Sequence, residues 1–271
     1  MDRMMLLLHD ICMNVREKVI RMSREEAGIS LTRGAGGDIT KMIDKVGEDA
    51  ALEIIKGYGI ECTVLSEEAG MLYIGDEHTD EHGYIVLDAI DGTTNAVRGI
   101  PFYSCSVAYS TSNRLNGVTH AAVMDIASGE VYHAIKGNGA YLNGSRIRTA
   151  TVGRDRAGYI IGMNLSGISI DRLGRMSKLL AMTNHIRQLG SNALEMCLLA
   201  RGLLDAYIDA RGKIRVTDIA AACLIIREAG GMVVDEHRNA LDAPLSLDAR
   251  LSFVASADEH MLDYIFDNIK D

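Results

Sequence analysis

The chain has 271 residues, 48% of them apolar, no tryptophan, and a formal net charge of −9. That length and apolar share can bury one large core, or two moderate halves that share one. The acidic balance, with a pI near 5.4, argues against nonspecific nucleic-acid binding but leaves room for a local basic pocket that receives a phosphorylated small molecule.

In chain order, residues 4–26 carry Leu7, Leu8, Ile11, Val15, Val19 and Met22 at helical intervals between charges, which predicts a first amphipathic helix. Met1 to Leu8 is interrupted by Arg3 and ended by His9-Asp10, too short for the core of a signal peptide, and no other stretch approaches a membrane span. A cytoplasmic protein is expected. Residues 29–38 break into glycines and read as a mobile loop. A second helix follows over 41–56, with Ile43, Val46, Ala50 and Ile54 on one face. Short apolar strands are expected at 62–65 and 84–87.

From 102 to 148, short β-type runs alternate with turn signals at Asn116-Gly117, Ser128-Gly129 and Asn143-Gly144, which predicts an antiparallel meander. After residue 150 the text alternates. Strands are expected at 159–163, 185–188, 206–209, 232–234 and 251–255, with helices at 169–183, 192–201, 218–228 and 258–267. A soft boundary near residue 150 therefore separates an α+β half, 1–150, from an α/β half, 151–271. The five cysteines are odd in number, far apart and in apolar contexts, the pattern of buried free thiols.

The chemistry is concentrated in Asp88-Ala89-Ile90-Asp91-Gly92-Thr93-Thr94, where two carboxylates leave the strand Tyr84 to Leu87 and run into a turn. A strand end fixes the first carboxylate and the turn brings the second beside it. Gly92 leaves backbone N–H groups free to face an anion. Ser66-Glu67-Glu68 follows another strand, and Thr217-Asp218 opens a late apolar helix. Hard oxygen ligands drawn from such places suit two or three Mg²⁺ ions that hold a phosphate ester.

These motifs, in this order and spacing, resemble those of the inositol monophosphatase superfamily, and most of all its archaeal-type branch, which acts on inositol phosphates and on fructose 1,6-bisphosphate. The glycine-rich segment from Gly34 to Asp44 is similar as well. Ala89 stands where the usual motif has proline, which removes stiffness but no ligand. The resemblance implies a layered αβαβα sandwich of the sugar-phosphatase type, with the active site between the halves. It implies one Mg²⁺ on Glu67, Asp88 and the carbonyl of Ile90, and a second on Asp88, Asp91 and Asp218. A third, weaker ion near Glu67 would carry the attacking water, and Mn²⁺ would serve as a substitute. Asp44 and the Thr93 hydroxyl would orient that water and take its proton, while the N–H groups of Gly92 and Thr93 hold the phosphate.

Substrate choice is expected to turn on arginines. Arg211 stands where inositol-selective relatives carry a glutamate, and a guanidinium there favours a second anionic group. Arg187, with Ser191 and Asn192 at the following helix start, adds further substrate contacts, and Arg98 would reach a neighbour's site across a homodimer interface. The expected reaction is hydrolysis of fructose 1,6-bisphosphate and inositol 1-phosphate. A 3′(2′),5′-bisphosphate nucleotidase or NADP phosphatase, and a non-catalytic binder of metal or phosphate, are the competing readings. The glycines at 34–37 spell no nucleotide-binding fingerprint, and neither a zinc motif nor a serine-hydrolase elbow occurs.

Overall fold

The computed structural model describes residues 2–75, 82–150 and 158–269, so the expected boundary near residue 150 abuts residues, 151–157, that lie outside the described set. Helix α1 (Arg3–Val19) is capped by Asp2, whose side chain accepts from the N–H of Met5, and buries Leu7, Leu8, Ile11, Cys12 and Val15. The single helix expected over 4–26 is in fact two. Ser23 takes up an extended conformation and forms a reciprocal capping box with Glu26, which restarts the chain as α2 (Arg24–Ala27). The segment read as a loop is also different. It forms an antiparallel hairpin, β1 (Ser30–Arg33) with β2 (Ile39–Lys41).

Helix α3 (Met42–Gly57) packs on α1, and both cover one face of an eight-stranded sheet. Gly47 allows a close approach. A Cβ there would lie 3.2 Å from side-chain atoms of Ala89 and Ile90, so the helix sits directly on the acidic strand end. The sheet begins with β3 (Cys62–Ser66), β4 (Gly70–Ile74) and β5 (Gly83–Asp91). β3 and β5 are parallel, and every other neighbouring pair in the sheet is antiparallel. It continues through β6 (Ser104–Ser110), β7 (Val118–Asp125), β8 (Val131–Ile135), β9 (Gly139–Leu142) and β10 (Ser145–Ile147), the expected meander. Asn143 and Gly144 both have positive φ, 48° and 79°, as a type I′ hairpin requires. Helix α4 (Thr93–Arg98) follows β5 directly.

The second sheet has five strands in the order β12-β11-β13-β15-β14: β11 (Ile160–Met163), β12 (His185–Arg187), β13 (Ala206–Ile214), β14 (Met232–Val234) and β15 (Leu251–Ser256). Helices α6 (Asn192–Ala200) and α7 (Val216–Glu228) lie between the two sheets. α7 touches β5 to β9 on one side and β14 on the other. Ten of its thirteen residues are buried, which is why it reads as apolar almost all round. Helices α5 (Ile170–Met182) and α8 (Glu259–Asn268) cover the outer face, completing the expected αβαβα sandwich.

The central cluster of buried side chains takes Leu65, Val86 and Val123 from before residue 150 and Leu194, Ile219 and Phe253 from after it. Each such side chain contributes about 1.5–3 kcal/mol on burial, so the two halves are held by one shared core. All five cysteines are buried and free. No helix among the described residues is long and apolar enough to cross a membrane.

Candidate active site

The C-terminal ends of β3 and β5, the first turn of α3 and the first turn of α7 meet at a cleft of about 480 Å³. Among the described residues, eight carboxylates line it (Asp38, Asp44, Glu48, Glu67, Glu68, Asp88, Asp91 and Asp218) against three cationic side chains, Lys41, Arg211 and Arg215. A register shift between Asp88 and Asp91 in the pairing of β5 with β6 breaks the strand's alternation and allows both carboxylates to line the same cleft. Asp88 and Asp91 are both buried.

One oxygen from each of Glu67, Asp88 and Asp218 lies within 4.8 Å of the others, a set that can hold a metal ion. Asp88 Oδ1 also accepts from the N–H of Ile90 at 3.1 Å. Asp218 caps its own helix, Oδ2 accepting from the N–H of Arg215 at 3.2 Å. Asp91 is held from the other half of the chain, its Oδ2 accepting from Ser191 Oγ at 2.6 Å and from the N–H of Ala193 at 2.7 Å.

The electrostatics follow from crowding. Burial, helped by the charge of Asp218, pushes Glu67 up to about 7. Burial pushes Asp91 up to about 6 against the hydrogen bonds from Ser191 and Ala193. Asp218 is pushed up to about 6 by burial and then by Asp91, and Asp88 well above the carboxylate range by burial and Asp91. Such a group of hard oxygens keeps protons unless a cation replaces them, so the donor set fits a divalent ion.

Asp44 sits in the first turn of α3, where its Oδ2 accepts from the N–H of Lys41 at 2.8 Å. Its Oδ1 accepts from the Thr93 hydroxyl at 2.7 Å, and that hydroxyl also lies 3.1 Å from the carbonyl of Ile90. Burial raises the Asp44 carboxyl, opposed by the bond from Thr93. The carboxyl–hydroxyl pair is thus formed beside the acidic cluster, as a proton acceptor and its relay would need to be. Gly92, between strand and helix, has φ +98°. A Cβ there would lie 3.1 Å from the carbonyl of Gly190, so the turn requires glycine on both counts.

Of the residues expected to touch substrate, Gly92, Thr93, Asn192 and Arg211 line the cleft. Asn192 Oδ1 accepts from Tyr207 Oη at 2.7 Å and from Asn164 Nδ2 at 3.1 Å. Three others are placed differently. Ser191 is fully buried, caps α6 and donates to Asp91, so it orients a carboxylate instead of facing the cleft. Arg187 is exposed on β12 with Nη1 turned onto the carbonyl of Ile186, outside the cleft lining. Arg98, at the end of α4, is exposed and does not line the cleft of its own chain.

Two residues have no place in the sequence expectations. Glu48 is buried one turn after Asp44 on the same face of α3. It accepts from the Ser66 hydroxyl and from the N–H of Ala69. The i,i+4 spacing of two acids on an otherwise apolar helix face was the signal that could have found it. Arg215 reaches from the start of α7 to Glu67 Oε1 at 2.5 Å, Asp38 Oδ2 at 2.5 Å and the carbonyl of Gly36 at 2.9 Å. It ties the turn of the β1–β2 hairpin to the acidic cluster.

A family model described as "Inositol monophosphatase family" matches residues 8–268. A fructose-1,6-bisphosphatase/inositol-1-monophosphatase of Methanothermobacter thermautotrophicus is 39% identical, over 91% of this chain and 89% of its own. A bifunctional NADP phosphatase/NAD kinase of Methanocaldococcus jannaschii is 33% identical over 86% of this chain, which corresponds to 44% of that protein. Among solved structures, an inositol monophosphatase-fructose 1,6 bisphosphatase superposes with a TM-score of 0.84, at 29% identity and over 99% of this chain and 100% of its own. Family match, fold and carboxylate cleft agree, and on them the chain belongs to the inositol monophosphatase family, as a phosphoric monoester hydrolase.

Proposed function

We propose that the protein is a Mg²⁺-dependent phosphatase that hydrolyses fructose 1,6-bisphosphate and inositol 1-phosphate by attack of water. The observation that supports this most is the convergence of Glu67, Asp88 and Asp218 within 4.8 Å beside the Asp44–Thr93 pair. Two or three Mg²⁺ ions, or Mn²⁺ in their place, would be held by Glu67, Asp88 and the carbonyl of Ile90, and by Asp88, Asp91 and Asp218. When bound, such ions neutralise phosphate oxygens and acidify water.

The residues do the rest. Asp44 accepts the proton of the attacking water through Thr93, the N–H groups of Gly92 and Thr93 receive phosphate oxygens, and the P–O bond breaks to an alkoxide that takes a proton from solvent water. Arg211, with Asn192, receives the remainder of the substrate, and a second phosphate is the group a guanidinium favours. The 1–150 half contributes most ion ligands, and the 151–271 half contributes Asp218 and the substrate contacts. We place the enzyme in the cytoplasm as a homodimer. The exposure of Arg98 at the end of α4 accords with a reach into the neighbouring copy.

The similarity to bifunctional NADP phosphatases supports a second reading, that the substrate is NADP. Among the described residues no aromatic side chain lines the cleft, so stacking on adenine has no platform among them. Phosphate release from fructose 1,6-bisphosphate, inositol 1-phosphate and NADP, measured side by side at saturating Mg²⁺, tests the assignment. Comparable release from the first two is expected. Release from NADP alone would replace the first reading by the second.

A further inference from the structure

Arg211 is held by an unusually costly partner. Asp209, two residues before it on β13, is completely buried. Its carboxylate takes the whole side edge of the guanidinium, Nε lying 3.0 Å from both oxygens and Nη2 2.6 Å from Oδ2. Asp209 Oδ1 also accepts from the backbone N–H of Arg211 at 3.0 Å. Burying such a pair contributes little net stability, and apolar side chains of similar volume would serve the fold as well. What the pair supplies is orientation.

The surrounding chain reinforces that orientation. β13 loses register against β15 between Asp209 and Ile214, and Gly212 turns there with φ +65°. Arg172, from α5, donates to the carbonyl of Ala210 at 2.5 Å and to Ser252 Oγ at 2.9 Å. Arg211 Nη1 donates to the carbonyl of Ser166 at 3.2 Å. A guanidinium has five N–H donors. Asp209 and Ser166 take three of them, leaving one on each terminal nitrogen. These two N–H groups remain to donate to the oxygens of a phosphate or carboxylate, and this side chain lines the cleft.

We propose that Asp209 is a specificity-determining positioning residue, which immobilises Arg211 so that its remaining N–H donors lower the KM of phosphomonoesters carrying a second anionic group relative to those whose remainder is a neutral polyol. The proposal rests on the phosphatase reading above. Asp209 touches no substrate and acts only through Arg211.

The test is steady-state kinetics on fructose 1,6-bisphosphate and inositol 1-phosphate for the wild type, Asp209→Asn, Arg211→Met and the double variant. Loss of charged hydrogen bonds to the second phosphate should shift the ratio of kcat/KM between the two substrates roughly ten- to a hundred-fold toward inositol 1-phosphate. For the bisphosphate the change should fall in KM with kcat held. The double variant should shift the ratio no further than Arg211→Met alone. Should Asp209→Asn fail to fold, Arg211→Lys, which keeps the charge without the guanidinium, should still raise the bisphosphate KM.

An Asp209→Asn enzyme that loses kcat equally on both substrates, or a double variant with additive shifts, would overturn the proposal. So would an Arg211→Lys enzyme with the wild-type ratio. A wild type inactive on both substrates would instead remove the phosphatase reading itself, and this inference with it.

Discussion

Stripping divalent cations should make the protein less stable as pH rises from 5 to 8, because three cationic side chains then face eight carboxylates and protons must balance the excess charge. Burial pushes Glu67 up to about 7 and Asp91 and Asp218 up to about 6. A carboxyl whose folded value lies above its unfolded one binds more protons in the folded state. Its stabilising protonation is complete below about pH 4 and is lost as pH rises through the folded value.

Asp91 is 5% exposed, so its displacement by roughly two pH units corresponds to about 3 kcal/mol without a solvent discount. Glu67 and Asp218 share the same field, and the first proton taken up relieves the others. The cluster as a whole is therefore assigned about 3 kcal/mol, not three times that. For a chain of this size the result is a fall in Tm of roughly 6–12 °C. Burial holds His133 below its ordinary value, which pulls in the opposite direction. Comparing chelated and Mg²⁺-saturated samples by calorimetry isolates the cluster, since the ion replaces its protons and leaves His133 alone. A chelated protein whose Tm is flat or rising over this interval, or the same slope with saturating Mg²⁺, would refute the reasoning.

Asp44→Asn should lower phosphate release by about 10²–10⁴-fold while cation binding, read by titration calorimetry, stays intact; unchanged release would remove Asp44 from the chemistry. Gly92→Ala should cost about 1–3 kcal/mol in thermal unfolding, from its left-handed backbone and the close carbonyl of Gly190. A wild-type Tm would mean that the turn accepts a side chain. Arg215→Met should speed tryptic cleavage after Arg33 or Lys41, which flank the turn clamped by the guanidinium; cleavage at the wild-type rate would show that Arg215 does not hold the hairpin.

The acidic motifs could be read because each lies where a regular element begins or ends. The strand ending at Asp91 and the apolar helix carrying Asp218 are both marked by their burial pattern. Their convergence could be inferred only through family resemblance, since Asp218 lies 151 positions after Glu67 in the sequence. The β1–β2 hairpin was missed because all four residues of β1 are exposed and show no alternation. The break after α1 was hidden because Ser23-x-x-Glu26 caps a new helix without interrupting the apolar rhythm.

Ser191 illustrates a different limit. A helix-start serine is equally suited to face a ligand or a buried carboxylate, and only the approach of the start of α6 to the end of β5 decides for Asp91. Arg215 was legible as a charge but not as a clamp, because its partners Asp38 and Glu67 are brought to it by the tertiary fold. The same holds for Asp209. Its neighbour Arg211 was visible, but its complete burial was not.

The central claim is that the carboxylates of Glu67, Asp88, Asp91 and Asp218 hold the cations that hydrolysis requires. It is tested most directly by titrating Mn²⁺ into chelated wild type and Asp88→Asn in a calorimeter, with phosphate release from fructose 1,6-bisphosphate followed over the same concentrations. Binding and turnover should rise together in the wild type and both should be lost in Asp88→Asn. Release that persists in EDTA, or wild-type Mn²⁺ binding by Asp88→Asn, would contradict it.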